Sequence, residues 1–119
     1  MRSPSRVEVS GGRLTVRLRP WERLAGLLGD LDVPVTAVAG AEAVPDGTRA
    51  VRGVRAPGLA WPGGPRIGTW RGRGATRWVA VRPGRPALRV QLQGQRYDEV
   101  LVTTPDAERL AGALAAQSR

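Results

Sequence analysis

A small antiparallel β-barrel or roll closed by one C-terminal helix is the fold class this sequence predicts, and three observations predict it. Leu14, Val16 and Leu18 alternate with Arg13, Thr15, Arg17 and Arg19, and Leu88, Val90 and Leu92 alternate with Ala87, Arg89, Gln91 and Gln93. This is the period of half-buried strands. Turn signals rich in Gly and Pro recur about every ten residues, the spacing of a barrel or sandwich. Only the last segment, Thr104 to Leu114, combines a capping residue, first-turn acids and an apolar stripe at helical intervals.

In order along the chain, residues 1–6 read as a polar tail and 7–116 as a single domain. Val7-Glu8-Val9 and Arg13–Arg19, joined by Gly11-Gly12, predict a hairpin. Trp21–Leu28, after Pro20 and before Gly29-Asp30, spaces its leucines as a short helix covering the sheet. Val33–Val44 reads mostly as strand, ended by the turn Pro45-Asp46-Gly47. Residues 49–66 carry three prolines and four glycines, which leaves a short strand at Ala50–Val54 and then a loop. Ile67–Trp70 and Thr76–Val81 flank a turn, Arg82–Pro86 forms another, Gly94-Gln95 a third, and Glu99–Thr103 is the last strand. In the terminal helix Thr104 is the cap, Pro105 fits the first position, and Ala107, Leu110, Ala111 and Leu114 form the docking face, with Glu108, Arg109 and Gln117 in water. The expected total is about seven antiparallel strands.

Composition limits function. The 119 residues carry a formal charge of +9 from 19 basic and 10 acidic side chains, and every basic residue is arginine. Lys, Phe, Asn, His and Cys are absent, the signature of a GC-rich bacterial genome in which arginine takes over the solubilising role of lysine. Without cysteine there are no disulfides, thiolate metal sites or thiol nucleophiles, and without histidine the familiar triads and common zinc sites cannot be built. The serines stand at 3, 5, 10 and 118, mostly in the termini. Asp98 and Glu99 are adjacent and would diverge on a strand, while Asp30 and Asp32 read as turn residues rather than a cation site. A basic start without an apolar stretch predicts a soluble cytoplasmic protein, with no catalytic role, no metal and no cofactor.

The stretch Ile67–Trp78, "IGTWRGRGATRW", offers the sharpest candidate site. A phosphate-binding P-loop needs a lysine and hydroxyl before a long helix, and this segment has neither. Its glycines, at 68, 72 and 74, are spaced GxxxGxG and fail the dinucleotide fingerprint. Arg66, Trp70, Arg71, Arg73 and Arg77 could instead form a cationic, stacking surface for a polyanion. The competing reading is a hairpin whose glycines make the turn, whose tryptophans cover the barrel and whose arginines remain in water. The hairpin is the reading adopted.

Seven strands and a capping helix are the layout of pleckstrin-homology-like folds. The chain resembles small actinobacterial PH-like proteins through "RPWERL" (19–24), "VPVTAVAGAEAV" (33–44), the "APG", "PGG" and "IGTW" elements (56–58, 62–64, 67–70) and "YDEVLVTTPDAERLAGAL" (97–114). The resemblance covers nearly the whole chain. It implies a non-enzymatic binding or regulatory module, with a protein partner expected and with nucleic acid or an anionic membrane as the alternative. Phosphoinositide-binding members of the wider fold cluster basic residues around the loop joining the first two strands; Arg13, Arg17 and Arg19 match that region in basic character only, so the fold carries over and the ligand does not.

Overall fold

The computed structural model describes residues 5–18, 20, 28–51, 54–60, 66–72 and 74–117, without side chains at 5–6, 49–50, 54–60 and 117. β1 (Ser5–Ser10) pairs antiparallel with β2 (Arg13–Leu18), Ser5 standing opposite Leu18. Gly11 and Gly12, with φ of 59° and 76°, make the two-residue turn between them, a conformation glycine adopts without steric cost. Leu14, Val16 and Leu18 point inward and Arg13 and Arg17 outward, as their alternation requires. Adding β3 (Leu31–Pro34) beside β2 completes a three-stranded antiparallel sheet. Of the helix expected over Trp21–Leu28 all but Leu28 lies outside the described residues, and Leu28 is buried in the core.

The run Val33–Val44 is not one strand. Val35 donates its N–H to Gly12 O at 2.9 Å, and a 3-10 turn, η1 (Val35–Ala37), redirects the chain from β3 to β4 (Val38–Val44) in the second sheet. Pro34, which has no N–H for a ladder, stands at the break. The expected strand at Ala50–Val54 is also replaced. Asp46 Oδ1 accepts from Thr48 N at 3.0 Å and from Thr48 Oγ1 at 2.8 Å, capping a short helix, α1 (Gly47–Ala50). β5 (Val54–Ala60) then takes up the segment read as loop. It is an edge strand, which is where Pro57 is tolerated, and its register with β6 (Arg66–Gly72) shifts between Arg55 and Gly58.

β7 (Ala75–Val81), β8 (Ala87–Leu92) and β9 (Glu99–Thr103) complete a six-stranded sheet in the order β4-β8-β9-β7-β6-β5. Three expectations are corrected here. The strands form two separate sheets and no closed barrel, and the described residues carry more than seven of them, the break at η1 dividing Val33–Val44 between β3 and β4. Nor are they all antiparallel: β9 lies between β7 and β8 and runs parallel to β7, with Trp78 opposite Val100 and Ala80 opposite Val102. The turn after β7 therefore spans two strand spacings, about 10 Å, instead of one. Asp98 anchors the parallel pair by accepting from Thr76 N at 2.8 Å while its own N–H reaches Thr76 O at 2.7 Å.

One face of this sheet carries Ile67, Trp78, Ala80, Leu88, Val90, Leu92, Val100 and Val102 into a core shared with Leu14, Val16, Leu18, Leu31 and Val33 of the first sheet. The terminal helix, α2 (Ala107–Gln117), closes this core over β4 and β8 and reaches β1. Its stripe is seated as expected, with Ala107, Leu110 and Leu114 buried, Ala111 half-buried, and Glu108 and Arg109 exposed. Thr104 Oγ1 accepts from Asp106 N at 3.2 Å, and the first helical bond runs from Leu110 N to Asp106 O, so Pro105 precedes the helix rather than opening it.

Candidate functional site

The stretch Arg66–Trp78 is a hairpin, with Gly74 at φ 74° in its turn and Gly72 opposite Ala75. Its aromatic side chains are committed inward. Trp78 is fully buried and its Nε1 donates to Gly29 O at 3.0 Å; Trp70 is 5% exposed on the opposite face of the sheet. Neither indole offers a stacking surface.

The arginines nominated with them are spread over the hairpin. Arg71 is exposed and, by the pleat, lies on the face opposite Trp70 and Arg77. Arg66, at the far end of β6 and about 20 Å from the turn, donates from Nη1 to Thr48 O at 3.0 Å. Arg77 is 9% exposed, with Nε 3.5 Å from Glu99 Oε1 and Nη1 donating to Gly72 O at 3.4 Å. Arg73 lies outside the described residues. Arg82 and Arg85, in the turn after β7, stand at the Arg66 end of the sheet and not beside the hairpin turn.

Arg77 belongs to a second surface, the sheet face turned away from the main core. Pairing across β8, β9, β7 and β6 sets Gln91, Glu99, Arg77 and Trp70 in one row. The next row holds Glu42, Arg89, Leu101, Val79 and Gly68, with Arg89 Nη2 at 2.6 Å from Glu42 Oε1. The third holds Val44, Ala87, Thr103, Val81 and Arg66. Gly47 of α1 covers that row so closely that a Cβ there would lie 2.7 Å from Val81 and 2.8 Å from Ala87. Opposite charges are thus neighbours on the sheet, the arrangement of a structural ladder. Asp30 and Asp32 are similarly engaged: Asp30 accepts from Leu18 N at 2.8 Å, and Asp32 meets Arg13 Nε at 2.6 Å. Among the described residues no group of three or more acidic side chains gathers as metal ligands.

A groove opens where three turns meet, at the end of the sheet nearest the start of α2. Pro45, Pro86 and Pro105 each come from a different turn, and Val44, Asp106 and Glu108 stand beside them around a space of ≈ 380 Å³. Backbone bonds tie the turns together, from Gly47 N to Arg85 O at 3.2 Å and from Thr104 N to Pro86 O at 3.1 Å, with Arg82 N donating to Thr103 Oγ1 at 2.8 Å.

No family model, curated protein or solved structure matches the chain. Its functional reading therefore rests on this geometry. The groove offers an apolar floor and an acidic rim but no nucleophile beside a base, and the charged rows offer complementary pairs. Sequence reasoning passed over the groove because each proline is accounted for by its own turn or helix start; Pro45 meets Pro86 through the β4–β8 pairing, and Pro105 joins them through β8–β9. Among the described residues no helix is long and apolar enough to cross a membrane.

Proposed function

We propose that the chain is a non-enzymatic, cytoplasmic interaction module of pleckstrin-homology-like build that engages a protein partner. The observation that carries this reading is the use made of the arginines. Arg13, Arg77, Arg89 and Arg109 face carboxylates, and Arg66 holds the α1 backbone. These five side chains are dispersed over the two sheets and the start of α2 instead of converging on one phosphate-binding surface. The buried indoles of Trp70 and Trp78 weigh against the alternative, a polyanion site on the hairpin. The parallel β7–β9 pair departs from an all-antiparallel layout, so the pleckstrin-like element of the reading rests on the two-sheet build with its terminal helix.

The test compares Arg71→Gln, at the hairpin, with Arg17→Gln, on the outer face of the three-stranded sheet. Both remove one exposed charge. Fluorescence anisotropy with a labelled oligo-dT and flotation with phosphatidylserine vesicles, near physiological ionic strength, should give weak binding that falls equally in the two variants. A salt slope flattened by about one phosphate contact in Arg71→Gln alone would overturn the reading in favour of a polyanion site.

A further inference from the structure

We propose that the groove framed by Pro45, Pro86 and Pro105 docks a basic aliphatic segment of a protein partner, an extended run in which arginine or lysine alternates with valine-sized residues. This rests on the interaction-module reading and names the chemistry of its partner.

The groove is prepared for such a segment in three respects. It is rigid, because the three turns are bonded to one another through Gly47, Arg85, Pro86 and Thr104. Its prolines, Ala43 and Val44 present hydrocarbon, and proline brings no N–H. Its lining side chains supply one donor, Arg109, which already stands 3.3 Å from Asp106 Oδ2. The remaining polar side chains are carboxylates: Glu108 is exposed, and the Asp106 side chain stays 55% exposed beside its arginine. A space of ≈ 380 Å³ is at the small end of ligand cavities, enough for one or two side chains of a peptide. Among the described lining residues there is no aromatic to grip a proline-rich ligand.

Charge complementarity selects the sign of the partner. Eight of the ten acidic residues fall in two arginine-free segments, 30–46 and 98–108, and each segment contributes to this groove. The molecule as a whole is at +9, and Arg85 is exposed in the turn beside Pro86 but outside the lining. Long-range attraction therefore favours acidic peptides, while the groove itself favours basic ones. At about 0.15 M salt, where screening acts beyond about 8 Å, the local preference should prevail.

The experiment titrates the ¹⁵N-labelled full chain with the acetylated, amidated peptides VRVRV and VEVEV at that salt. VRVRV should move the amide signals of Ala43, Val44, Ala107, Glu108 and Arg109 and bind more tightly than VEVEV. Glu108→Gln should weaken it about threefold, the scale of one exposed charge pair, whereas Asp32→Asn, which removes an exposed charge on the other sheet, should not. Tighter binding of VEVEV, signals moving on another surface, or equal losses in the two variants would each overturn the groove while leaving the interaction-module reading in place. Concentration-dependent shifts of the same amides without peptide would assign the groove to a second copy of this chain and overturn the proposal likewise. Failure of both peptides together with an oligo-dT salt slope sensitive to Arg71→Gln would bring down the module reading itself.

Discussion

Trp78 joins parts of the chain that sequence separates by 49 positions. Its indole fills the space between the sheets, and its N–H satisfies the carbonyl of Gly29, fixing the segment that leads into β3. Trp78→Phe keeps most of the apolar volume but removes that donor and part of the ring. It should cost about 2 kcal/mol, seen as a lower urea midpoint with an unchanged slope. Arg77 and Glu99 pose a different problem, since their side chains are only 11% and 13% exposed. Removing one member strands the other in a poorly solvated place, so Arg77→Met should lose about 3 kcal/mol, whereas Arg77→Met with Glu99→Met should recover most of it. A double-mutant cycle by chemical denaturation measures the difference; additive losses would show that the pair does not act as a unit.

At the scale of elements, legibility followed the period of the local pattern. β2, β8 and α2 could be read because each buries one face and the chemistry of its residues alternates accordingly. The break at η1 could not, because Val33–Val44 is apolar on both sides of it and the cause is a hydrogen bond to Gly12, twenty-three positions away. β5 was hidden by Pro57 and Gly58, which an edge strand tolerates and a central one does not. The site was legible in part: the hairpin was recognised, but the burial of Arg77 follows from Glu99 arriving beside it through the parallel pair. The terminal helix gives the cleanest energetic test. Leu110 is 2% exposed between α2 and the sheets, and Leu110→Ala should lower stability by about 2–4 kcal/mol in thermal or urea unfolding. A cost near that of a surface substitution would mean that the helix does not close the core.

For the whole molecule, charge is arranged in sequence before it is arranged in space. With the acids concentrated in two segments, folding brings carboxylates to arginines that lie far away along the chain: Glu42 to Arg89 and Asp32 to Arg13. Compaction of a chain at +9 brings like charges closer and costs stability, and these pairs offset part of that cost. The exposed Arg13–Asp32 pair contributes little by itself, so added salt should shift stability only slightly through that contact.

The placement of β9 has a consequence for how the protein is made. A strand that sits between two earlier ones cannot be added at a margin. Until residues 99–103 have left the ribosome, β7 and β8 have no central partner, and the middle of the larger sheet is an open slot bordered by two strand edges. Edges of that kind recruit other chains, and pairings between residues distant in sequence form slowly. A nascent chain is therefore most exposed to misassembly in the interval when β7 and β8 have emerged and β9 has not. A chain ending at Asp98 should accordingly accumulate as aggregate, and light scattering on its release from denaturant should rise where the full chain refolds clear. Clear refolding of the shortened chain would show that β7 and β8 can pair without the strand that normally parts them.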